Sequence, residues 1–225
     1  ARLRNLTAQA FIETVLWDGL RLRHLVVGDD FRFGCDRAGD YAALASAGEV
    51  WGFGVERTCT VEIAGARVSS TRIRELLAQG NLAAAADLLG RPYALTGRVM
   101  HGQKLGRQLG MPTANIRVGK QRPALAGVFV VKVRTCSGDC YPGVANMGVR
   151  PTVNGRTPVL EVHLLDYDGD LYGRHLTIEF LARLRPEQRF ESIDALRTQI
   201  HADALAARQW HALHGITCAT AQPSV

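Results

Sequence analysis

No stretch of this sequence approaches the roughly 20 consecutive apolar residues that a membrane-spanning helix needs, so a helical membrane protein is not expected and a membrane is not an expected partner. Cysteine is sparse and irregular. The five thiols, Cys35, Cys59, Cys136, Cys140 and Cys218, are odd in number and show no framework spacing. Cys136 and Cys140 flank a Ser137-Gly138-Asp139 turn, but no second pair follows, so zinc is not expected and the thiols read as those of a cytoplasmic protein. There is no secretory leader, although the chain starts at Ala1 rather than Met, which makes that absence weak evidence. No internal repeat and no low-complexity segment stands out. The net charge is +6 with a pI near 9.4, which suits anionic ligands, but the Lys and Arg residues form no block. Spread charge is usually a solvated surface, so nucleic acid is not an expected partner.

What is present is enough for two modest domains. Apolar residues make up 47% and charged residues 21% of 225, which excludes a disordered chain. The first part reads as α/β. Residues 5–24 have the spacing of an amphipathic helix, His24–Gly28 is a short buried strand, Tyr41–Ala47 a helix and Val50–Arg57 a strand. Arg72–Gln79 is a helix stopped by Gly80, and Leu82–Leu89 a second one closed by Gly90 and Pro92. The Gly90-Arg91-Pro92 step marks a boundary, giving domains 1–90 and 91–214 with a tail at 215–225. Beyond it, Leu95–Met100, Val128–Arg134, Tyr141–Asn146, Val159–Leu165 and Leu176–Leu181 read as strands. Asp168-Gly169-Asp170 has hairpin-turn chemistry between two of them. Ser192 caps a helix with Ile193, Leu196, Ile200 and Leu205 at helical spacing. Short strands followed by one helix predict a small closed barrel.

The most informative run is 97–115. Gly97, Gly102, Gly106 and Gly110 fall within fourteen residues, and such a run lets backbone N–H groups approach phosphate oxygens. Lys104 and Arg107 add positive charge there. The run lacks both the Walker A ending and the G-x-G-x-x-G spacing, so by glycine spacing alone an ordinary surface loop is as good a reading. Pro112-Thr113-Ala114-Asn115 follows. A Thr hydroxyl and an Asn carbonyl are hard oxygen donors of the kind Mg²⁺ takes, and a turn closed by Thr and Asn is the plainer alternative.

In Leu160-Glu161-Val162-His163-Leu164 the alternation puts Glu161 and His163 on one strand face and three apolar residues on the other. Glu161 is a candidate base. On the residues alone, a half-exposed strand acid facing water explains it as simply.

Taken together, the 97–115 run and the Glu161-Val162-His163 strand resemble riboflavin kinases from about Tyr93 to Arg208. The resemblance implies a six-stranded antiparallel barrel with a C-terminal helix. It also implies phosphate contacts from Gly97, Gly102, Lys104, Gly106, Arg107, Gly110, Thr113 and Asn115, with Mg²⁺ on Thr113 and Asn115. Glu161 takes the role of catalytic carboxylate and His163 a supporting one. A carboxylate with a pKa near ~4.3 cannot deprotonate an alcohol outright, but in a loose phosphoryl-transfer transition state it orients the hydroxyl and takes the proton late. Asn146-Met147-Gly148-Val149-Arg150-Pro151-Thr152 resembles a loop near the flavin, and Leu184-Arg185-Pro186-Glu187 a flap over its ring system, implying Asn146, Gly148 and Arg185 as flavin contacts.

Two earlier segments resemble the adenylyltransferase module of bacterial bifunctional FAD synthetases, a Rossmann-like nucleotidyltransferase fold. They are Val26-Val27-Gly28-Asp29-Asp30-Phe31-Arg32-Phe33-Gly34 and Arg67-Val68-Ser69-Ser70-Thr71-Arg72-Ile73-Arg74. The likeness implies ATP contacts from Asp30, Arg67, Ser70, Thr71 and Arg74, the last three at a helix N-terminus, which favours phosphate. A plain Ser/Thr cap explains that end as well. The His-x-Gly-His motif of such modules is absent and His24 stands alone, so this stretch is expected to be partial and inefficient in adenylylation. The sequence therefore predicts conversion of riboflavin to FMN with ATP and Mg²⁺, and FAD formation by the intact parent. A nucleic-acid-binding barrel and a non-catalytic flavin-binding module are the rivals. Self-association is left open.

Overall fold

The computed structural model describes residues 3–102, 110–119, 123–152 and 155–215, with the backbone alone at 150–157. The chain forms two compact units, Ala1–Val68 and Ser69–Val225.

In the first unit, Thr7 caps α1 (Ala8–Phe11), its hydroxyl accepting from the Ala10 N–H. The helix runs on through wider π-type turns over Ile12–Gly19. It is shorter than the 5–24 expected because Arg21 takes a positive φ of 49° and the chain turns into β1 (His24–Gly28). Asp40 caps α2 (Tyr41–Trp51). Val50 and Trp51 end this helix rather than begin a strand. Left-handed Gly52 stops it, and β2 starts at Gly54 (Gly54–Thr58), parallel to β1. A small hairpin, β3 (Glu62–Ile63) and β4 (Ala66–Arg67), follows. Ile12, Leu16, Val27, Phe33, Leu44 and Phe53 form the core of this unit.

The second unit opens with α3 (Ser70–Gln79), two residues earlier than expected because Ser69, not a later residue, accepts from Arg72 N–H as the cap. Left-handed Gly80 ends α3, and α4 (Leu82–Leu89) matches its expected span and ends on left-handed Gly90. Leu77, Leu82 and Ala85 pack into the same core as the strands beyond, so by packing these two helices belong with the barrel.

Six strands close the barrel: β5 (Ala94–Met100), β6 (Ala114–Arg117), β7 (Gly127–Thr135), β8 (Cys140–Thr152), β9 (Gly155–Leu164) and β10 (His175–Arg185). Their order is β10-β5-β6-β9-β8-β7, and every pairing is antiparallel. Closure leaves no strand edge unpaired around the ring. The alternation in β9 puts Leu160, Val162 and Leu164 inside with Phe129, Val131, Met147, Ile178 and Phe180. Phe129 and Phe180 meet edge to face at 5.4 Å, and burying each ring contributes roughly 2–3 kcal/mol.

Three further expectations need correction. The Asp168–Asp170 turn joins β9 to β10, but these strands are not partners, so it closes no hairpin. The segment from Asn146 lies within β8 rather than in a loop. The buried face of the last helix, α5 (Ile193–Leu213), is Asp203, Ala204, Ala207 and His211, while Ile193 and Leu205 face water. Small residues win that face because they let the helix approach the outer side of β7, where Ala204 and Ala207 cover Val130. Ser192 does cap it, accepting from Ala195 N–H.

Candidate active site on the barrel

The strand ladders bring the main candidates together. Asn115 on β6 is the direct partner of Glu161 on β9, and Glu161 is the direct partner of Asn146 on β8. Their inward neighbours Ala114, Ile116, Leu160, Val162, Ala145 and Met147 are all buried. The three polar side chains therefore share the outer face of the barrel wall, about 5 Å from one partner to the next. All three are half-buried.

β6 escaped the sequence reading because it has only four residues and its first two, Ala114 and Asn115, belong to the Pro112–Asn115 motif. Those four residues turn a presumed loop into a ladder strand and fix Asn115 beside Glu161.

His163 explains how the motif is held. Its Nδ1 lies 2.8 Å from the Pro112 carbonyl oxygen, a bond in which the ring N–H donates. This ties β9 to the residue before Thr113. Gly102 is also at this place, since a Cβ there would stand on the Asn115 amide. Gly110 has a left-handed φ of 77°, which glycine takes without strain. Gly97 is different. It is buried in β5, where a Cβ would strike the Arg117 carbonyl, and Met100 rather than Gly97 is the residue opposite Asn115. Lys104, Gly106 and Arg107 lie outside the described residues.

A cleft of about 600 Å³ adjoins Thr113 at one end of the barrel. It is lined by the barrel residues Val99, Ala114, Val162 and Leu164, by Pro112 and Thr113, and by the 167–172 connection. The His101 ring stacks on Tyr172 at 4.0 Å, which places the start of the glycine-rich run against that wall. Beside it the Arg208 guanidinium donates to Asp166 and holds that carboxyl below its ordinary value. Nothing in the sequence marked Tyr167, Leu171 or Tyr172, because aromatics between strands read as turn or core.

On the neighbouring side, the 184–187 segment covers β8. A Cβ at Gly148 would run into the Glu187 carboxylate, so the two segments touch at a glycine. The Arg185 guanidinium meets Asp203 of α5 through Nε to Oδ1 at 3.0 Å and Nη2 to Oδ2 at 2.7 Å.

In the first unit, Arg67 Nη2 lies 2.8 Å from Asp29 and 3.1 Å from Asp30. The Thr60 hydroxyl, more than Arg67, holds the Asp29 carboxyl below its usual range. Asp29 and Thr60 thus stand with Asp30 and Arg67, two of the five residues expected to contact ATP. Ser70 and Thr71 are exposed on the first turn of α3, with Arg74 exposed one turn on, in the second unit.

The closed six-stranded antiparallel barrel is matched by the model of the riboflavin kinase family over residues 89–211. The FAD synthetase model matches residues 1–72. The chain is 55% identical over 208 residues to the bifunctional riboflavin kinase/FMN adenylyltransferase of Pseudomonas fluorescens, covering 92% of this chain and 67% of that one. It is 49% identical over 212 residues to the same enzyme of Escherichia coli (strain K12), covering 94% and 68%. A crystal structure described as a macrolide-efflux protein from Streptococcus pneumoniae superposes with a TM-score of 0.70 at 32% identity, over 93% of this chain and 67% of that one. The chain belongs to the bifunctional riboflavin kinase/FMN adenylyltransferase family and spans about two thirds of these relatives' length. Among the described residues, no helix is long and apolar enough to cross a membrane.

Proposed function

We propose that residues 91–214 phosphorylate the ribityl 5′-hydroxyl of riboflavin with ATP, giving FMN and ADP. The observation that carries this reading is the pairing of Asn115 with Glu161 across one ladder. The apolar and aromatic lining of the cleft that Thr113 borders suits the base of the nucleotide, and by the resemblance its phosphates go to Thr113, Gly102, Gly110, Lys104, Gly106 and Arg107. Gly97 supports this site by letting β5 and β6 approach.

Among the described residues, no group of three or more acids, histidines or cysteines could hold a metal ion. The donors at hand are a Thr hydroxyl and an Asn carbonyl, hard but neutral oxygens. Such a pair fits Mg²⁺ as a partial shell that nucleotide phosphates and water complete. When bound there, the ion neutralises charge on the phosphates. Thr113 and Asn115 orient the nucleotide, and Glu161 orients the alcohol. As the alcohol oxygen forms its bond to the γ-phosphorus, the bond from that phosphorus to the ADP oxygen breaks. The alcohol proton passes to the Glu161 carboxylate. Asn146, Gly148 and the segment around Arg185 form the flavin side.

By the same resemblance, residues 1–90 are part of an FMN adenylyltransferase domain, with Asp30 and Arg67 toward ATP. FMN adenylylation to FAD is the second activity of the whole protein. The enzyme works in the cytoplasm on small molecules, without nucleic acid or membrane, and self-association is compatible with this chemistry.

Incubation of the chain with riboflavin, ATP and Mg²⁺, followed by chromatography of the flavins, tests the reading. FMN should appear in step with ADP. Flavin binding without FMN would favour a non-catalytic flavin module, and retention on nucleic acid that weakens steeply with salt, without competition by flavin, would favour a nucleic-acid barrel.

A further inference from the structure

The Arg185 guanidinium has three of its five N–H groups engaged within the protein. Its Nε donates to both Asp203 oxygens at 3.0 and 3.1 Å, its Nη2 to Oδ2 at 2.7 Å, and its Nη1 to the Pro186 carbonyl at 3.2 Å. Phe190 lies under the plane at 5.7 Å. Asp203 receives a further bond from Gln199 Nε2 at 2.9 Å, one helical turn away. Both side chains of the pair are largely withdrawn from water, with 17% and 8% exposed. A withdrawn ion pair is poor evidence for stability, since desolvation offsets its attraction. Its two-point geometry does fix orientation. What it orients is specific: the same guanidinium holds the peptide carbonyl that precedes Glu187, and Glu187 rests on Gly148.

We infer that Arg185 is a positioning residue, clamped by Asp203 and Gln199 of α5, that sets the Pro186–Glu187 turn against Gly148 and so builds the flavin side of the kinase site. The inference rests on the kinase reading above and adds how this segment is held. The clamp is built of hydrogen bonds among Arg185, Pro186, Gln199 and Asp203, none of which belongs to the ladder that holds Asn115 against Glu161. It acts on one substrate, through the turn that covers Gly148.

The test is steady-state kinetics of FMN formation by the whole chain, wild type against Asp203→Asn, with riboflavin and ATP varied separately. The Michaelis constant for riboflavin should rise about tenfold or more, while that for ATP and the turnover number stay within about twofold. Arg185→Lys keeps the charge but not the two-point fork, and should show the same split. A double Arg185→Met/Asp203→Leu variant removes both charges and leaves none unpaired, so it keeps a folded chain available if a single variant fails to fold. It should still show the raised riboflavin constant. Equal losses for both substrates, or a double variant with wild-type riboflavin affinity, would overturn the inference. If the wild type itself forms no FMN, the kinase reading fails, and riboflavin affinity measured by quenching of flavin fluorescence then decides the clamp on its own: a Kd equal in wild type and Asp203→Asn overturns it.

Discussion

Asn115 and Glu161 are direct partners across the β6–β9 ladder. On the proposed reading, the Asn115 carbonyl would serve a metal-bound phosphate and the Glu161 carboxylate would accept a proton on the same side of the barrel. The ladder holds their spacing more rigidly than a loop would.

Glu161→Gln keeps shape and removes the acceptor. FMN formation should fall by about 10²-fold or more, while the Kd for ATP changes little. A variant within threefold of wild-type turnover would show that the proton goes elsewhere.

Thr113→Ala and Asn115→Ala each remove one of the two oxygen donors. Each should raise the Mg²⁺ concentration for half-maximal activity by about tenfold, with high Mg²⁺ recovering part of the rate. Titration of turnover against Mg²⁺ at fixed ATP distinguishes this from a loss that no amount of metal restores.

Much of this site could be read from residue order. The Leu160–Leu164 alternation put Glu161 on a strand, and Gly80 and Gly90 ended their helices where a left-handed residue was needed. Three kinds of information were not local. The pairing of β6 with β9 depends on a strand too short to show a period. The face of α5 was misassigned because Ile193 and Leu205 are greasier than Ala204 and Ala207, yet close approach to β7 favours small residues. The Arg185–Asp203 pair joins positions eighteen apart, and an acid at a buried helix position carries no signal until its partner is known.

Gly102→Ala tests close approach at the same corner. The new methyl would stand on the Asn115 amide and push it from its place beside Glu161. Activity should fall by about tenfold, and the melting temperature by no more than about 2 °C, because the position lies outside the strands. The double variant Gly102→Ala/Asn115→Ala should be no worse than Asn115→Ala, since both act through one side chain. Additive losses would separate the two residues.

His211 offers a pH test of how α5 is docked. It is buried, with Nε2 3.1 Å from the Val131 carbonyl, while Nδ1 has no hydrogen-bond partner among the described residues. Burial above all, helped by Lys132 and His214 nearby, holds its pKa below the ordinary value of 6.5, against the opposing pull of the Val131 carbonyl. As pH falls through 6.5 the unfolded chain takes up a proton that the folded chain resists, so stability falls with falling pH until the folded form is protonated too. Above 6.5 both forms are neutral and the effect vanishes. His211→Gln can still donate to Val131 but does not titrate. Melting of wild type and variant at pH 7.5 and 5.5 should therefore show a drop on acidification smaller in the variant by about 2 °C or more. Equal drops in the two proteins would mean that His211 does not govern the acid sensitivity of this helix.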